Sequence, residues 1–395
     1  MWPGDSEFIH LTSNLYMSNV IVIGAGMVGS AMAIDMAKKH NVTLTDLNGE
    51  TLKKVQAKCT DLQVQELDVC DKNALSEAIR PYDLVICAVP GFLGFETLKT
   101  IIETGKNVVD ISFFSEDSLD LDALAKEHGV TAIVDCGVAP GMDNILLGYH
   151  NEKMKVESFE CLVGGLPKVK KWPFCYKAPF SPIDVIEEYT RPARYVENGV
   201  EVVREPLTDS EYIEFDKVGT LESFNTDGLR SIIQTMSHIP NMKEKTLRYP
   251  GHIEYIMALK ESGFFSEKEI ELDGKSIRPL DFTSKVLIDE WKLEEQEEEL
   301  TVMRITITGE NENGEKEEIV YNLHDEYCNE TQTSSMSRTT GYTATAAANM
   351  FLDGHFQEKG VFPPELVGRH EACCTYILDY LKERNIEYKK EQRTL

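Results

Sequence analysis

The chain has 395 residues, of which 42% are hydrophobic and 27% charged, and its formal net charge at pH 7 is −27. This length suffices for two domains with full hydrophobic cores, and the composition is ordinary for a globular protein. Because nucleic acids and anionic membranes are bound by basic surfaces, the strong acidity argues against both as partners. No run of about 20 apolar residues occurs, so we expect no membrane-spanning helix.

The nine cysteines show neither a C-x-x-C pair nor zinc-type spacing, and we predict no metal site. An odd number of cysteines in a large chain indicates reduced thiols and predicts a cytoplasmic location. Residues 1–16 lack the basic and apolar regions of a secretory signal. Because Met17 directly precedes the first predicted strand, we interpret residues 1–16 as an N-terminal extension outside the fold.

The first predicted strand, residues 20–23, runs into a glycine turn that opens a helix. Gly24 permits the tight turn, Gly26 lets a pyrophosphate approach the main chain, and Gly29 lets the helix pack closely on the strand. The helix N-terminus supplies unpaired N–H groups and a partial positive charge, which hold a diphosphate without a basic side chain. We therefore predict a dinucleotide site that includes Gly24, Gly26, Met27, Val28 and Gly29.

Acidic residues end the second and third predicted strands. Asp46 follows the strand at residues 42–45, where a carboxylate can accept hydrogen bonds from the adenosine ribose and repels a 2′-phosphate. No Arg or Lys follows it directly, so the sequence favours NAD over NADP. Asp68 either contacts the adenine edge or caps the next turn.

The alternation of strands and helices continues to about residue 150, with strands predicted at 62–67, 84–89, 107–111 and 131–135 and helices at 50–58, 72–79, 95–104 and 121–127. This pattern predicts an α/β fold, in which a Rossmann-type parallel sheet carries helices on both faces over residues 17–150. Ligands bind beyond the carboxyl ends of such strands. The loops there add the predicted cofactor residues Val89, Pro90, Ser112, Phe113, Gly137 and Val138.

From about residue 155 the pattern changes to longer strand-like runs, at 158–166, 194–203 and 301–309, with helices at 184–189, 229–236 and 253–261. We predict an α+β domain over residues 151–335. Residues 311–314, NENG, indicate a hairpin turn, and the prolines at 363 and 364 indicate a rigid loop. We expect the C-terminal segment, residues 336–395, to return to the Rossmann domain.

Several blocks together resemble the saccharopine dehydrogenase family, most closely its lysine 6-dehydrogenase-like branch. The blocks are VIVIGAGMVG at 20–29, DCGVAPGMDNILLGY at 135–149, NTDGLRS at 225–231, TLRYPGH at 246–252, SRTTGYTATAAA at 337–348 and KGVFPPE at 359–365. The resemblance implies an NAD(P)-dependent enzyme that oxidises a carbon–nitrogen bond of lysine or of a lysine derivative such as saccharopine. It also implies that residues 151–335 form a substrate and dimerisation domain, and that the protein is a homodimer or a larger homo-oligomer.

Such chemistry sets requirements on the site. Hydride leaves the carbon that bears nitrogen only if the nitrogen is neutral, so the site must accept a proton and then stabilise an iminium that water attacks. We predict that Asp143 and His252 handle protons, with binding of the substrate ammonium as the alternative role for Asp143.

An amino-acid substrate also needs its α-carboxylate held, which an arginine does with two hydrogen bonds. We predict Arg248 first for this role, then Arg230 and Arg338. The residues predicted to complete the pocket are Tyr249, Thr226 and Asp227. Two alternatives stay open: an NAD(H)-binding sensor without turnover, and a dehydrogenase of another amine such as a carboxylated polyamine, which would need extra acidic residues around the pocket.

Overall fold

The computed structural model describes residues 17–180, 182–294 and 296–395, so the predicted extension at residues 1–16 lies outside the described residues. The first half of the chain alternates strands and helices: β1 (Asn19–Ile23), α1 (Met27–Met36), β2 (Asn41–Asp46), α2 (Gly49–Lys58), β3 (Gln63–Glu66), α3 (Lys72–Ile79), β4 (Leu84–Cys87), α4 (Gly91–Glu103), β5 (Val108–Asp110), α5 (Asp122–Glu127), β6 (Thr131–Ile133) and α6 (Met142–Asn151).

The second half contains longer strands: β7 (Met154–Pro167), α7 (Pro182–Thr190), β8 (Ala193–Glu197), β9 (Val200–Arg204), β10 (Glu211–Phe215), β11 (Gly219–Asn225), α8 (Ile232–Thr235), β12 (Asn241–Arg248), α9 (His252–Glu261), β13 (Ile270–Leu272), β14 (Lys275–Ile277), α10 (Pro279–Trp291), β15 (Glu299–Asn311) and β16 (Lys316–Glu326). The chain ends with α11 (Ser335–Leu352), β17 (Gly360–Phe362), α12 (Pro364–Gly368), α13 (Glu371–Glu383) and β18 (Lys389–Thr394).

Seven strands form a parallel sheet in the order β17-β6-β5-β4-β1-β2-β3. The central strands β1 and β4 are buried almost throughout, which explains their runs of consecutive apolar residues. The predicted Rossmann-type α/β fold is confirmed. The carboxyl ends of these strands form one edge, where ligands bind in such sheets.

The second sheet is mixed and follows the order β10-β11-β12-β7-β15-β16-β18, with β8 and β9 branching from β12. Within it, β12 pairs parallel to β7, while β15 and β16 form the antiparallel hairpin predicted at residues 311–314. The α+β prediction for this half is therefore confirmed. Strand β12 was not among the predicted elements, although it contributes most to the site described below.

The C-terminal segment contributes to both sheets. Strand β17 joins the edge of the parallel sheet beside β6, whereas β18 pairs with β16 in the mixed sheet. Gly341 of α11 faces Met32 and Val28 of α1, where an added Cβ would lie 3.1 Å and 3.4 Å from their side chains, so small residues let these helices pack closely.

Four local predictions differ from the structure. The strand predicted at residues 194–203 is a hairpin of two antiparallel strands, β8 and β9, because Asn198 and Gly199 both have positive φ and form the turn between them. The prolines at 363 and 364 do not form a loop, because Pro364 begins α12, a position that its fixed φ angle favours. The helix predicted at 229–236 is reduced to α8. Helix α4 begins four residues before the predicted 95, at Gly91. Over the described residues, no helix is both long and apolar enough to cross a membrane.

Candidate active site

A cleft of about 710 Å³ lies between the carboxyl edge of the parallel sheet and the mixed sheet. Its lining residues between 23 and 140 are called the dinucleotide half here, and those between 163 and 248 the substrate half. All the predicted cofactor residues except Ser112 line the dinucleotide half. The predicted substrate residues Arg248, Thr226 and Asp227 line the substrate half.

The three glycines of the turn between β1 and α1 have different surroundings. Gly24 has a positive φ of 101°, and a Cβ there would lie 2.4 Å from the carbonyl oxygen of Ala88. A Cβ on Gly29 would lie 1.9 Å from the carbonyl oxygen of Gly24, whereas one on Gly26 would meet nothing within 4 Å. Gly24 and Gly29 are therefore required by the fold, while Gly26 leaves open space in the cleft where a pyrophosphate can approach the main chain.

Asp46 fastens this turn to the end of β2. Its Oδ2 accepts a hydrogen bond of 2.7 Å from the backbone N–H of Ala25, and its Oδ1 accepts one of 2.8 Å from that of Asn48. An ionised carboxylate has about four acceptor positions, so capacity remains for ribose hydroxyls. Asp68 also lines the cleft and caps its own turn through Cys70 N–H, whereas Asp71 is the N-cap of α3.

The loops after β4, β5 and β6 form the inner end of the dinucleotide half. Val89, Pro90, Phe113, Gly137 and Val138 line it. Ser112 does not, because its N–H and hydroxyl both donate to the buried carboxyl of Asp110.

Strand β12 presents alternate side chains to the cleft, as the two-residue period of a strand requires. Glu244, Thr246 and Arg248 all line it. Arg248 is fully buried, donates to Glu188 Oε2 at 2.7 Å, and stacks over Tyr176 at 4.4 Å. Its Nε has no hydrogen-bond partner among the described residues.

Two further predicted substrate residues flank β12. Thr226 follows β11 and shares a hydrogen bond of 3.0 Å with Thr246 through their hydroxyls. Asp227 accepts two hydrogen bonds of 3.0 Å from Arg194 while lining the cleft. Polar groups from two strands therefore converge on one wall of the substrate half.

The structure places Arg230, Arg338 and Tyr249 outside the cleft. Arg230 donates to Asp135 Oδ2 at 2.9 Å and to the carbonyl oxygen of Phe114 at 2.7 Å, so it joins the segment after β11 to the end of β6. Arg338 forms a two-fold ion pair with Asp325. The Tyr249 hydroxyl donates to the carbonyl of Pro167. Each of the three side chains is held by these contacts, and none of the three lines the cleft.

His252 also lies behind the cleft wall rather than on it. Its Nδ1–H donates to the carbonyl of Phe174 at 2.9 Å, so its Nε2 accepts from the Tyr189 hydroxyl at 2.9 Å. Burial, with Arg248 nearby, lowers the pKa of His252 to about 3. The imidazole is therefore neutral, has both nitrogens engaged, and does not reach the cleft.

Asp143 is fully buried at the start of α6. Its Oδ1 accepts a hydrogen bond of 2.9 Å from the backbone N–H of Gly141, as expected for a carboxylate in a first helical turn. Its surroundings raise the pKa to about 7, mainly through burial. Asp143 does not line the cleft, and the nearest carboxyl group that does is Glu244.

Several charged residues of the substrate half are absent from the sequence-based predictions. Arg191 lines the cleft, pairs with Glu187 one helical turn earlier, and lies over the Phe113 ring at 5.2 Å. The carboxyl side chains that line this half are Asp184, Glu187, Glu188, Asp227 and Glu244. Residues 241–248 contain only two apolar side chains, Met242 and Leu247, so no apolar alternation identifies Glu244 from the sequence.

Two family models match the chain: the saccharopine dehydrogenase NADP binding domain over residues 20–133 and the saccharopine dehydrogenase C-terminal domain over residues 137–386. The chain is 26% identical over 275 residues to saccharopine dehydrogenase [NADP(+), L-glutamate-forming] of Saccharomyces cerevisiae, covering 66% of this chain and 61% of that protein. The corresponding match to the Schizosaccharomyces pombe enzyme covers 59% of its length. The chain thus spans less than two thirds of these relatives.

A third relative, carboxyaminopropylagmatine dehydrogenase of Synechocystis, is 22% identical over 374 residues, covering 88% of this chain and 92% of that protein. Among solved structures, apo saccharopine dehydrogenase (L-Glu forming) from Saccharomyces cerevisiae has the same fold, with a TM-score of 0.77 and 22% identity over 95% of this chain and all of that one. The chain therefore belongs to the saccharopine dehydrogenase family and contains its pyridine-nucleotide-binding domain.

Proposed function

We propose that this chain is an NAD(P)-dependent dehydrogenase that oxidises a carbon–nitrogen bond of lysine or of a lysine derivative. The observation that carries the proposal is that one cleft joins the glycine turn to the Glu244, Thr246 and Arg248 side of β12. A dinucleotide and a charged amino acid can therefore occupy it side by side. The names of the relatives in the family agree with this chemistry.

The reaction converts an amine, one water and the oxidised nucleotide into a carbonyl compound, the released amine, the reduced nucleotide and a proton. When bound, the nicotinamide supplies the hydride acceptor. The protein's own residues hold the substrate, accept the proton from its nitrogen and leave room for the water. A carboxyl group on the cleft wall, Glu244, weighs against a sensor without turnover.

Arginines in the substrate half suit a substrate with carboxylates. Arg248 lines the cleft and has an unpartnered Nε, and Arg191, directly after α7, lines the cleft beside Phe113. Both guanidinium groups are already paired with glutamates, so a carboxylate would share them. One such contact suffices for lysine, and the second arginine would serve the additional carboxylates of saccharopine.

NAD is the cofactor we propose on charge grounds. The lining residues around the end of β2 and β3 are Asp46, Leu47, Leu67, Asp68, Val69 and Cys70, which include two carboxylates and no basic side chain. A 2′-phosphate would be repelled there. The Saccharomyces cerevisiae relative is named for NADP(+), so this preference needs a direct comparison of the two nucleotides.

A second candidate substrate, a carboxylated polyamine, is favoured by one observation. Five carboxyl side chains line the substrate half against two arginines, Arg191 and Arg248. Such a surface attracts the additional positive charges of a polyamine. Extra acidic residues around the pocket are what the sequence-based alternative required.

The test is the initial rate of reduced-nucleotide formation at alkaline pH with L-lysine, L-saccharopine and a carboxylated polyamine, each with NAD and with NADP. Turnover with lysine alone supports a lysine 6-dehydrogenase, and turnover with saccharopine that releases glutamate supports the glutamate-forming reaction. Turnover with the polyamine alone supports the second candidate. Binding of NADH without turnover of any amine would contradict the proposal.

Homodimeric assembly stays a prediction from the family resemblance. Sedimentation or light scattering of the purified chain tests it, and a monomer at micromolar concentration would contradict it.

A further inference from the structure

A buried group of acidic and thiol side chains lies directly beneath the cleft. Side-chain oxygen or sulfur atoms of Asp143, Cys161 and Glu244 all lie within 4.8 Å of one another. Asp143 and Cys161 are fully buried, and Glu244 is 4% exposed. One oxygen of each carboxyl, Asp143 Oδ2 and Glu244 Oε2, has no hydrogen-bond partner among the described residues.

Glu244 is the member of this group that reaches the cleft. It belongs to the side of β12 that also presents Thr246 and Arg248, while its register partner on β7 is Cys161. Gly228 makes room for it, because a Cβ at that position would lie 2.0 Å from Glu244 Oε1. Because Gly228 has no side chain, it leaves space for the Glu244 carboxyl group, which faces the substrate half.

Two carboxyl groups this close and this buried cannot both be ionised without strong repulsion. Burial raises the pKa of Asp143 to about 7 and raises the pKa of Glu244 well above its ordinary value, and each group opposes the ionisation of the other. The other groups that act on Glu244 are Asp227 and Glu188, which oppose its ionisation, and Arg230, which favours it. Glu365 acts on Asp143, and the thiol of Cys161 and hydroxyls of Tyr195 and Tyr388 also face the pair.

We propose that Glu244 takes the proton from the substrate amine, and that Asp143 is a positioning residue that controls when Glu244 can do so. This inference rests on the proposed function. The substrate ammonium transfers one N–H proton to the Glu244 carboxylate, the neutral nitrogen's lone pair then forms the C=N bond as hydride leaves for the nicotinamide, and water adds to the resulting iminium. Collapse of that adduct breaks the C–N bond and yields the carbonyl compound and the amine, and Glu244 returns its proton to solvent.

The arrangement predicts the direction in which activity changes with pH. Glu244 must be ionised to accept a proton, and burial together with the neighbouring carboxyls raises its pKa well above the ordinary value. Activity therefore increases toward alkaline pH. Removing the charge of Asp143 lets Glu244 ionise at lower pH.

The first test is Glu244→Gln, which keeps the size of the side chain but cannot accept the proton. We expect kcat to fall by about 100-fold or more and the rise of activity with pH to disappear, while the Kd for NADH stays unchanged. Thermal unfolding verifies that the variant is folded. Wild-type kcat and an unchanged pH profile in this variant would overturn the assignment of Glu244.

The second test, Asp143→Asn, retains an acceptor for the Gly141 N–H. We expect the apparent pKa of the activity profile to move down by about one unit, as loss of a nearby like charge requires. The matched control is Glu299→Gln, which removes another buried carboxyl whose pKa is raised to about 8 but which does not line the cleft. The control should keep the wild-type profile. If Asp143→Asn lowers the unfolding temperature but leaves the pH profile of activity unchanged, Asp143 only caps its helix. That result would overturn its proposed control of Glu244.

Infrared spectroscopy provides a readout that needs no turnover. Wild-type protein at neutral pH should show a protonated-carboxyl band that titrates at alkaline pH and is altered in both variants. Absence of that band, or a stoichiometric metal ion in the purified protein, would overturn the proposal that Asp143 controls the ionisation of Glu244. A wild type that binds NADH and oxidises no amine would instead remove the proposed function, and the proton-accepting role of Glu244 with it.

Discussion

The two halves of the cleft are built on different physical principles. In the dinucleotide half, glycine main chain and the start of α1 form the binding surface, and Gly26 leaves open space. In the substrate half, residues of β7, α7, β12 and the segment after β11 meet, and Arg248 is enclosed by Glu188, Tyr176 and Phe224. The first half depends on a compact local turn, whereas the second depends on tertiary packing that brings distant charges together.

This difference between the two halves determines how much a substitution lowers the stability of the folded protein. Backbone N–H groups bind phosphates without burying a charge, so the dinucleotide half can lose a contact and remain folded. Buried charges are tolerated only when paired, so the substrate half loses stability as soon as one partner is removed. Variants in the dinucleotide half should therefore lose nucleotide binding while they stay folded, whereas variants that remove one charge from the substrate half should lose stability.

The largest effect is expected for Arg248→Ala, which leaves the half-buried carboxylate of Glu188 without its partner. We expect the free energy of unfolding to fall by about 3 kcal/mol, measured by urea denaturation. Arg191→Ala is the matched control, because its more exposed pair with Glu187 should contribute less than about 1 kcal/mol while its loss raises KM for the substrate. Equal stability losses in the two variants would contradict the view that the more deeply buried Arg248 pair contributes more to stability than the Arg191 pair.

The dinucleotide half is tested by Gly26→Val. No atom lies within 4 Å of the added Cβ, so the unfolding temperature should stay within a degree or two, whereas the Kd for NADH should increase by about 10-fold or more, equal to about 1.4 kcal/mol. Gly24→Val is the control, since its Cβ would meet the Ala88 carbonyl at 2.4 Å and should lower stability by about 1–3 kcal/mol. Retained NADH affinity in the folded Gly26 variant would place the pyrophosphate elsewhere.

His252 allows the substrate half to be tested through the dependence of protein stability on pH. Its pKa is lowered to about 3 in the folded protein, against about 6.5 when unfolded, so the unfolded state binds more protons between these values. The stability due to neutral His252 is present above pH 6.5 and is lost as the pH falls toward 3, with a slope of up to about 1.4 kcal/mol per pH unit. His252→Gln should reduce that slope between pH 6 and 4, and an unaltered slope would show that His252 is not held neutral.

The smallest effect is expected for Asp46→Asn at the rim of the dinucleotide half. Removal of one negative charge should improve NADP binding relative to NAD by about 10-fold or less, measured as the ratio of the two Kd values. An unchanged ratio would mean that Asp46 does not determine the nucleotide preference.

The same contrast explains what the sequence alone could and could not predict. Gly24, Gly26 and Gly29 act within one turn, so their fixed spacing identified the parallel sheet and the dinucleotide half. Glu244 and Arg191 act across elements, and the polar strand β12 gave no apolar run by which to recognise it. Asp143 was selected for its place in a helical turn, but α6 packs inward and buries that turn, so the carboxyl lies beneath the cleft.

The central proposal is that hydride leaves the nitrogen-bearing ε-carbon of lysine or of the lysine part of saccharopine. The most direct measurement uses lysine and saccharopine deuterated at the lysine ε-carbon, incubated with oxidised nucleotide and wild-type protein, followed by mass spectrometry of the reduced nucleotide. The account predicts one deuterium in each reduced nucleotide, with an equal amount of ammonium from lysine or of glutamate from saccharopine. Reduced nucleotide formed without deuterium would contradict it, because the hydride would then come from a different carbon.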